Sequence, residues 1–295
     1  MLLSANMDSR PHIIAVIGPT ASGKSARAVA LAKQLNGEVI SVDSRQVYRT
    51  LDIGTEKTSA EEMDGIPHYL IDIRDPEESY SAGDFMQDAE ALIADMHARG
   101  VTPILAGGTH FYFEALLYGL PPSLANPILR TELEKRSAED LFAELQIKDP
   151  RRAARIDPKN KRRLVRALEI ISEHGSVPER ATTDSKYDVE WVIIDPPKEV
   201  LRERIDKRLQ QALDRGLIEE VRATMARVGD ARLDELGLEY RIIGDYLRQD
   251  ASQQRSEASL LSTLSTKLWH YARHQKAWLR KLTQSQEISL TQVLE

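Results

Sequence analysis

A chain of 295 residues is long enough for one or two domains, and its 41% hydrophobic and 29% charged residues are those of an ordinary soluble globular protein. With no cysteine it has neither disulfides nor thiolate metal sites, and its seven histidines include no H-x-x-x-H pair with an acid between, so no structural zinc is expected. A net charge of −6 argues mildly against a nucleic-acid partner, but binding follows the local field rather than the sum, and here the basic charge is segregated.

The first ten residues, MLLSANMDSR, lack a cationic stretch followed by a long apolar one and read as a short disordered leader. No apolar run approaches the roughly 20 residues needed to span a bilayer, so no membrane partner is expected and a cytoplasmic location is inferred. Residues 13–17 (IIAVI) form a short apolar run ending in glycine, which predicts a buried strand. A helix is expected over 24–35, stopped by Gly37, and a second strand over 38–42. Residues 68–71 and 101–105 are further strand candidates, and 82–99 between them has helical periodicity that stops at Gly100. Strands alternating with helices imply an α/β fold with a doubly wound parallel sheet flanked by helices.

From 121 to 189 the pattern changes to prolines at the entrance, dense charge and helical periodicity alone, with Leu164, Leu168 and Ile171 on one face. This stretch is expected to be a helical insertion domain. The segment WVIID at 191–195 then returns to an apolar strand, and helices are expected over 198–214, 217–227 and 256–282. The predicted division is a catalytic core of 11–120 with 190–295, carrying C-terminal helices, and an insertion of 121–189. Within the insertion, residues 148–166 hold nine basic and two acidic side chains, and near the C-terminus residues 267–281 hold five basic side chains and no acid. A solvated face and a surface for phosphate backbone are both compatible with such a run; its isolation in an acidic chain favours the second.

The sequence Gly18-Pro19-Thr20-Ala21-Ser22-Gly23-Lys24-Ser25 matches G-x-x-x-x-G-K-[ST] in full, between a predicted strand and a predicted helix. Its glycines let backbone N–H groups wrap an anion, the helix N-terminus adds positive field, Lys24 reaches terminal phosphates, and Ser25 offers a hydroxyl to Mg²⁺ or phosphate. The loop alone leaves the chemistry open, since ATPases, kinases and other transferases share it. An NTPase also wants an acid at the end of a strand to hold Mg²⁺. The strand at 101–105 ends in Ala106-Gly107-Gly108 without one, while Asp43, Asp72 and Asp195 end others. Asp43 by itself is compatible with a general base in the crevice or with a helix cap at the strand end.

Four blocks narrow the choice. Asp43-Ser44-Arg45-Gln46-Val47-Tyr48 follows the second strand, and Asp52-Ile53-Gly54-Thr55 comes soon after. Gly107-Gly108-Thr109 precedes Tyr112, Ala115 and Leu116, and Arg166-Ala167-Leu168-Glu169 lies in the insertion. In this order they resemble the tRNA dimethylallyltransferases, also called tRNA isopentenyltransferases, over about residues 13–280. The resemblance implies transfer of a dimethylallyl group from dimethylallyl diphosphate to N6 of adenosine 37 in the anticodon stem-loop of tRNA, with Mg²⁺ as cofactor. It implies that Gly18, Thr20, Ala21, Ser22, Gly23, Lys24 and Ser25 hold the donor's diphosphate, with Ser25 on the metal. Asp43, Thr109 and Arg208 are then the catalytic residues: Asp43 takes the N6 proton, Arg208 reaches the diphosphate and Thr109 lies near the adenosine. Asp43, Ser44, Arg45, Gln46, Arg162, Arg163 and Arg166 are expected to contact tRNA. The chain departs from the family pattern at Thr58, where proline is usual, at Arg162, where glutamine is common, and at Leu268-Trp269, where the usual Thr-Arg pair supplied a basic group. Trp269, Tyr271 and Trp278 are expected to be packing aromatics. A monomer is expected. The rival reading is an ATP-dependent P-loop kinase of a small metabolite, which accounts for the loop and Asp43 but not for the basic insertion.

Overall fold

The computed structural model describes residues 10–121, 126–178, 184–249 and 256–285; all but the last residue of the expected leader lies outside them. In chain order the described elements are β1 (His12–Ile17), α1 (Lys24–Leu35), β2 (Gly37–Ser41), α2 (Ala60–Met63), β3 (His68–Tyr69), α3 (Ala82–Ala98), β4 (Thr102–Gly107), α4 (His110–Tyr118), α5 (Pro127–Glu134), α6 (Ala138–Lys148), α7 (Pro150–Ala153), α8 (Lys161–His174), β5 (Asp188–Ile193), α9 (Lys198–Asp214), α10 (Leu217–Val228), α11 (Asp230–Leu233), α12 (Leu238–Leu247) and α13 (Glu257–Ser285). Two compact units result: Tyr118–Ser185, and the rest of the chain. Among the described residues no helix is long and apolar enough to cross a membrane.

The larger unit is built on a five-stranded, wholly parallel sheet of order β3-β2-β4-β1-β5. A parallel sheet is covered on both faces, so its central strands read as continuous apolar runs rather than alternating ones. In β1 every residue from Ile13 to Ile17 is buried, and Ile104, Leu105 and Ala106 are buried beside them in β4. Because all strands run the same way, the loops leaving β1, β2, β4 and β5 emerge along one edge of the sheet, where α/β folds bind ligands. The ends of β2 and β4 approach so closely that a Cβ on Gly107 would lie 2.1 Å from the carbonyl oxygen of Val42, so only glycine fits there. β3 is shorter than the apolar run at 68–71 suggests because Leu70 and Asp72 take left-handed backbone conformations, with φ of 61° and 56°. α11 and α12 lie where the sequence pattern gave no helix; Gly244 inside α12 weakens the signal.

The smaller unit is all-helical. Leu133, Leu141, Leu145, Ile156, Leu164, Leu168 and Ile171 form its core. Each helix start is capped as its sequence allows: Asn126, Ser137, Asp149 and Asn160 accept backbone N–H groups of α5, α6, α7 and α8. Its two buried carboxylates serve the fold. Asp149 also accepts from Val177 N at 3.0 Å, and Glu169, 2% exposed, takes a forked pair of bonds from Arg130 at 2.9 and 2.8 Å.

Candidate active site

The loop between β1 and α1 turns back on itself through Ala21 (φ 62°) and Gly23 (φ 95°), the latter at the helix N-cap. Lys24 opens α1 and donates to the carbonyl of Pro19 at 2.7 Å; Ser25 is exposed in the same first turn. Arg204 from α9 donates to Ser22 O at 3.4 Å. Burial, and then the positive charge of Arg208, push the Lys24 ammonium down to about 8, with Asp43 pulling the other way. Lys24, Arg208 and Asp43 therefore share one electrostatic neighbourhood although they come from α1, α9 and the end of β2.

Asp43 caps a turn rather than the helix that the sequence allowed, since the next helix, α2, begins only at Ala60: Oδ1 accepts from Arg45 N at 2.8 Å and Gln46 N at 3.3 Å. Oδ2 has no hydrogen-bond partner among the described residues. One oxygen thus holds the turn, and the other is left unpaired. Thr109 is stitched to the same turn. Its N–H donates to Val42 O at 3.1 Å, and its Oγ1 accepts from Ser44 N at 3.1 Å. Ser44 and Arg45 are half-buried in this turn. The amide of Gln46 is taken up internally: Oε1 accepts from Ser41 Oγ at 3.0 Å, while Nε2 donates to the carbonyls of Thr55 and Glu56 at 3.4 and 3.0 Å. In this structure its side chain braces the turn against the loop that follows.

That following loop is clamped from the other side. The Glu220 carboxylate of α10 accepts the N–H groups of Asp52, Ile53 and Gly54 at 2.8, 2.7 and 2.9 Å, and the Tyr240 hydroxyl at 2.6 Å. Lys57, almost fully enclosed, donates to Tyr48 O at 2.9 Å and pairs with Asp52 and Asp72 at 2.5 and 2.6 Å. So held, the loop presents Glu56 to Arg208 at 3.4 Å and to Arg215 at 3.6 Å. Burial raises the Glu56 carboxyl, against the pull of Arg208 and Arg215. Burial likewise raises Glu239, which feels Arg208, Asp43 and Glu56.

α13 closes the edge. Gln275, 3% exposed, accepts Thr20 N at 2.8 Å and donates to Gly108 O at 3.1 Å, tying the first loop to the β4–α4 turn. One turn on, Trp278 donates from Nε1 to Glu114 at 2.9 Å and stacks on His110 with ring centroids 4.1 Å apart. Lys276 pairs with Asp195 at 2.6 Å. The aromatics of this helix divide. Trp278 packs as expected. Trp269 carries the Arg202 guanidinium 5.7 Å from its ring centre. Tyr271 is 45% exposed, so it is no core residue. Where the family has Thr-Arg, Leu268 is buried and Trp269 receives a cation instead of supplying one.

In the smaller unit Arg162 and Arg163 are exposed on the first turn of α8, while Arg166 reaches back to the buried Glu169 at 3.3 Å. The structure thus gathers Gly18, Thr20, Ala21, Ser22, Gly23, Lys24, Ser25, Asp43, Ser44, Arg45, Thr109 and Arg208 along one sheet edge of the larger unit. Gln275, Glu220, Tyr240 and Glu239 join them without having been singled out in the sequence; of these only Gln275 left a trace, in the segment Tyr271-Ala272-Arg273-His274-Gln275 that resembles the family's Y-A-K-R-Q.

A family model described as IPP transferase matches residues 46–282. A tRNA dimethylallyltransferase of Thermomicrobium roseum is 41% identical, over 97% of this chain and 88% of its own length. The chain belongs to the tRNA dimethylallyltransferase family. A family member of Anaeromyxobacter dehalogenans is 42% identical over 92% of both chains. Among solved structures, a full-length tRNA isopentenylpyrophosphate transferase from Bacillus halodurans superposes with a TM-score of 0.67 at 39% identity, covering 92% of this chain and 87% of that one. A eukaryotic dimethylallyltransferase described as acting on tRNA gives a TM-score of 0.78 at 28% identity, over 91% of this chain and 69% of that one. None of these relatives supports the kinase reading.

Proposed function

We propose that this chain transfers the dimethylallyl group of dimethylallyl diphosphate to N6 of adenosine 37 in the tRNA anticodon stem-loop, releasing diphosphate. The observation that carries the reading is the pairing of a cationic phosphate cradle after β1 with a half-satisfied carboxylate just past β2, along the same edge of the sheet. Lys24, Arg208 and the N–H groups of residues 20–25 stabilise the diphosphate as the allylic C–O bond breaks and its electrons pass to oxygen. The N6 lone pair forms the new C–N bond, and the N6 proton goes to Asp43 Oδ2. Thr109, whose Oγ1 already accepts from Ser44, keeps its O–H for the adenosine. Ser44 and Arg45 line the same crevice, where Tyr271 offers an exposed ring. Base 37 lies in a loop, so turning it into the crevice costs little stacking.

Mg²⁺ fits the donor set. Among the described residues no three His, Asp or Glu side chains gather into a metal site, and Mg²⁺ does not need one, since it commonly keeps waters and leans on substrate phosphates. Ser25 would hold it together with the diphosphate, and when bound it neutralises charge on the leaving group. The insertion, expected over 121–189, supplies the tRNA-backbone surface through the exposed Arg162 and Arg163, with Arg166 limited by its tie to Glu169. The enzyme works as a cytoplasmic monomer in this reading.

The test is incubation with Mg²⁺, labelled dimethylallyl diphosphate and an unmodified anticodon stem-loop. Label should enter the RNA and vanish when adenosine 37 is replaced by guanosine. Unlabelled RNA together with ATP-dependent phosphorylation of a metabolite would overturn the proposal.

A further inference from the structure

His110 opens α4 directly after Thr109. Its ring lies flat on Trp278, at an interplanar angle of 5°, and the indole is itself fixed by the bond to Glu114. The imidazole is therefore held in one plane from behind. Its Nε2 is buried and has no hydrogen-bond partner among the described residues. A buried polar atom left unpaired costs roughly 1–3 kcal/mol, and in a native structure it calls for an explanation. Burial, and then the charge of Lys24, hold the ring down to about 4, with Glu114 opposing, so the imidazole is neutral at physiological pH. A neutral ring that feels the cradle lysine and keeps a free buried nitrogen is suited to donate one N–H to an anion without adding a charge that would repel Lys24 and Arg208.

We infer that His110 Nε2–H donates a hydrogen bond to a non-bridging oxygen of the diphosphate seated on the loop of residues 18–25, as a further positioning residue for the transfer. The inference rests on the proposed function, because it takes the prenyl diphosphate as the ligand of that loop. Trp278 acts as the backing plate that sets the angle of the bond, and Gln275, on the same face of α13, joins the loop to Gly108 two residues before His110.

The test uses the full chain with Mg²⁺ and inorganic diphosphate, then dimethylallyl diphosphate, titrated by calorimetry into wild type, His110→Phe and His110→Gln. Phenylalanine keeps a flat ring on Trp278 but has no donor; glutamine restores an N–H without the ring. A hydrogen bond to a charged partner is worth about 1.5–3 kcal/mol, so diphosphate binding should weaken at least tenfold in His110→Phe and recover in part in His110→Gln, with tRNA affinity unchanged in both. Unchanged diphosphate affinity in His110→Phe, or an equal loss in both variants, would overturn the inference, the second outcome assigning the effect to the stack. A loss confined to tRNA affinity would overturn it too, by turning the nitrogen toward the adenosine. Absence of diphosphate binding in the wild type would instead defeat the function on which it rests. A melting temperature within a few degrees of wild type marks each variant as folded.

Discussion

The arginines singled out for function are held differently in the two compact units. Along the sheet edge of the larger unit Arg208 is held by Glu56, Glu56 by a loop clamped through Glu220, and Lys24 by the carbonyl of Pro19. In the helical unit the buried carboxylates Asp149 and Glu169 are spent on helix caps and core-facing pairs, leaving Arg155, Arg162 and Arg163 exposed on the outside. Braced charges hold one geometry, which bond-breaking demands. Unbraced ones provide a field that any phosphate backbone feels, and which salt screens. The difference teaches that a single overall charge of −6 hides two separate electrostatic devices.

The sharpest way to break that contrast is at Asp43. Asp43→Ala should lower kcat by about 10²–10⁴-fold and tRNA affinity far less, because a general base acts only in the transition state. Equal losses in rate and affinity, read by single-turnover kinetics and filter binding, would merge the two devices into one. Next comes the scaffold beneath the basic face: Leu168→Ala opens a cavity in the helical core and should destabilise that unit by roughly 2–5 kcal/mol in denaturant unfolding. A smaller effect would mean that the helices collapse around the lost side chain.

The Lys24 ammonium, held near 8 in the free protein, gives a pH signature. Its charged form attracts diphosphate and is lost as pH rises through about 8, so affinity should fall toward tenfold per pH unit above that point. Lys24→Arg, which does not titrate there, should flatten the profile; an unchanged slope in that variant would assign the titration elsewhere. A milder loosening is expected from Glu220→Gln, which keeps the shape of the clamp but exchanges one of its two accepting oxygens for an NH2 group that cannot accept the N–H groups facing it. A loss of about 1–3 kcal/mol in stability and a few-fold rise in KM for the prenyl diphosphate, with kcat nearly kept, would fit a loop that only positions Glu56 and Arg208.

What the sequence made legible was whatever lies close in the chain. The loop of residues 18–25 carries its strand, its glycines and its helix within one short segment, and β1 and α1 stand where their patterns put them. Asp43 was ambiguous, and the ambiguity was physical, since one oxygen caps a turn while the other has no hydrogen-bond partner among the described residues. The clamp was not legible, because Glu220 meets Asp52 across 168 residues and no local pattern marks a carboxylate that will accept three N–H groups. Gln275 meets Thr20 across 255 residues in the same way. Helical periodicity placed α13 but could not tell that Tyr271 leaves the core while Trp278 stays in contact with His110.

The most direct test of the division of labour sets two variants side by side in single-turnover transfer at saturating tRNA and low salt. One is Asp43→Asn, and the other carries Arg155, Arg162 and Arg163 all changed to Ala. The account predicts that the arginine variant, once saturated, transfers the dimethylallyl group at close to the wild-type rate, needs more tRNA to saturate and shows a flatter salt dependence, while Asp43→Asn saturates normally and barely reacts. An arginine variant that stays slow at saturation, or an Asp43→Asn protein that reacts at the wild-type rate, would contradict it.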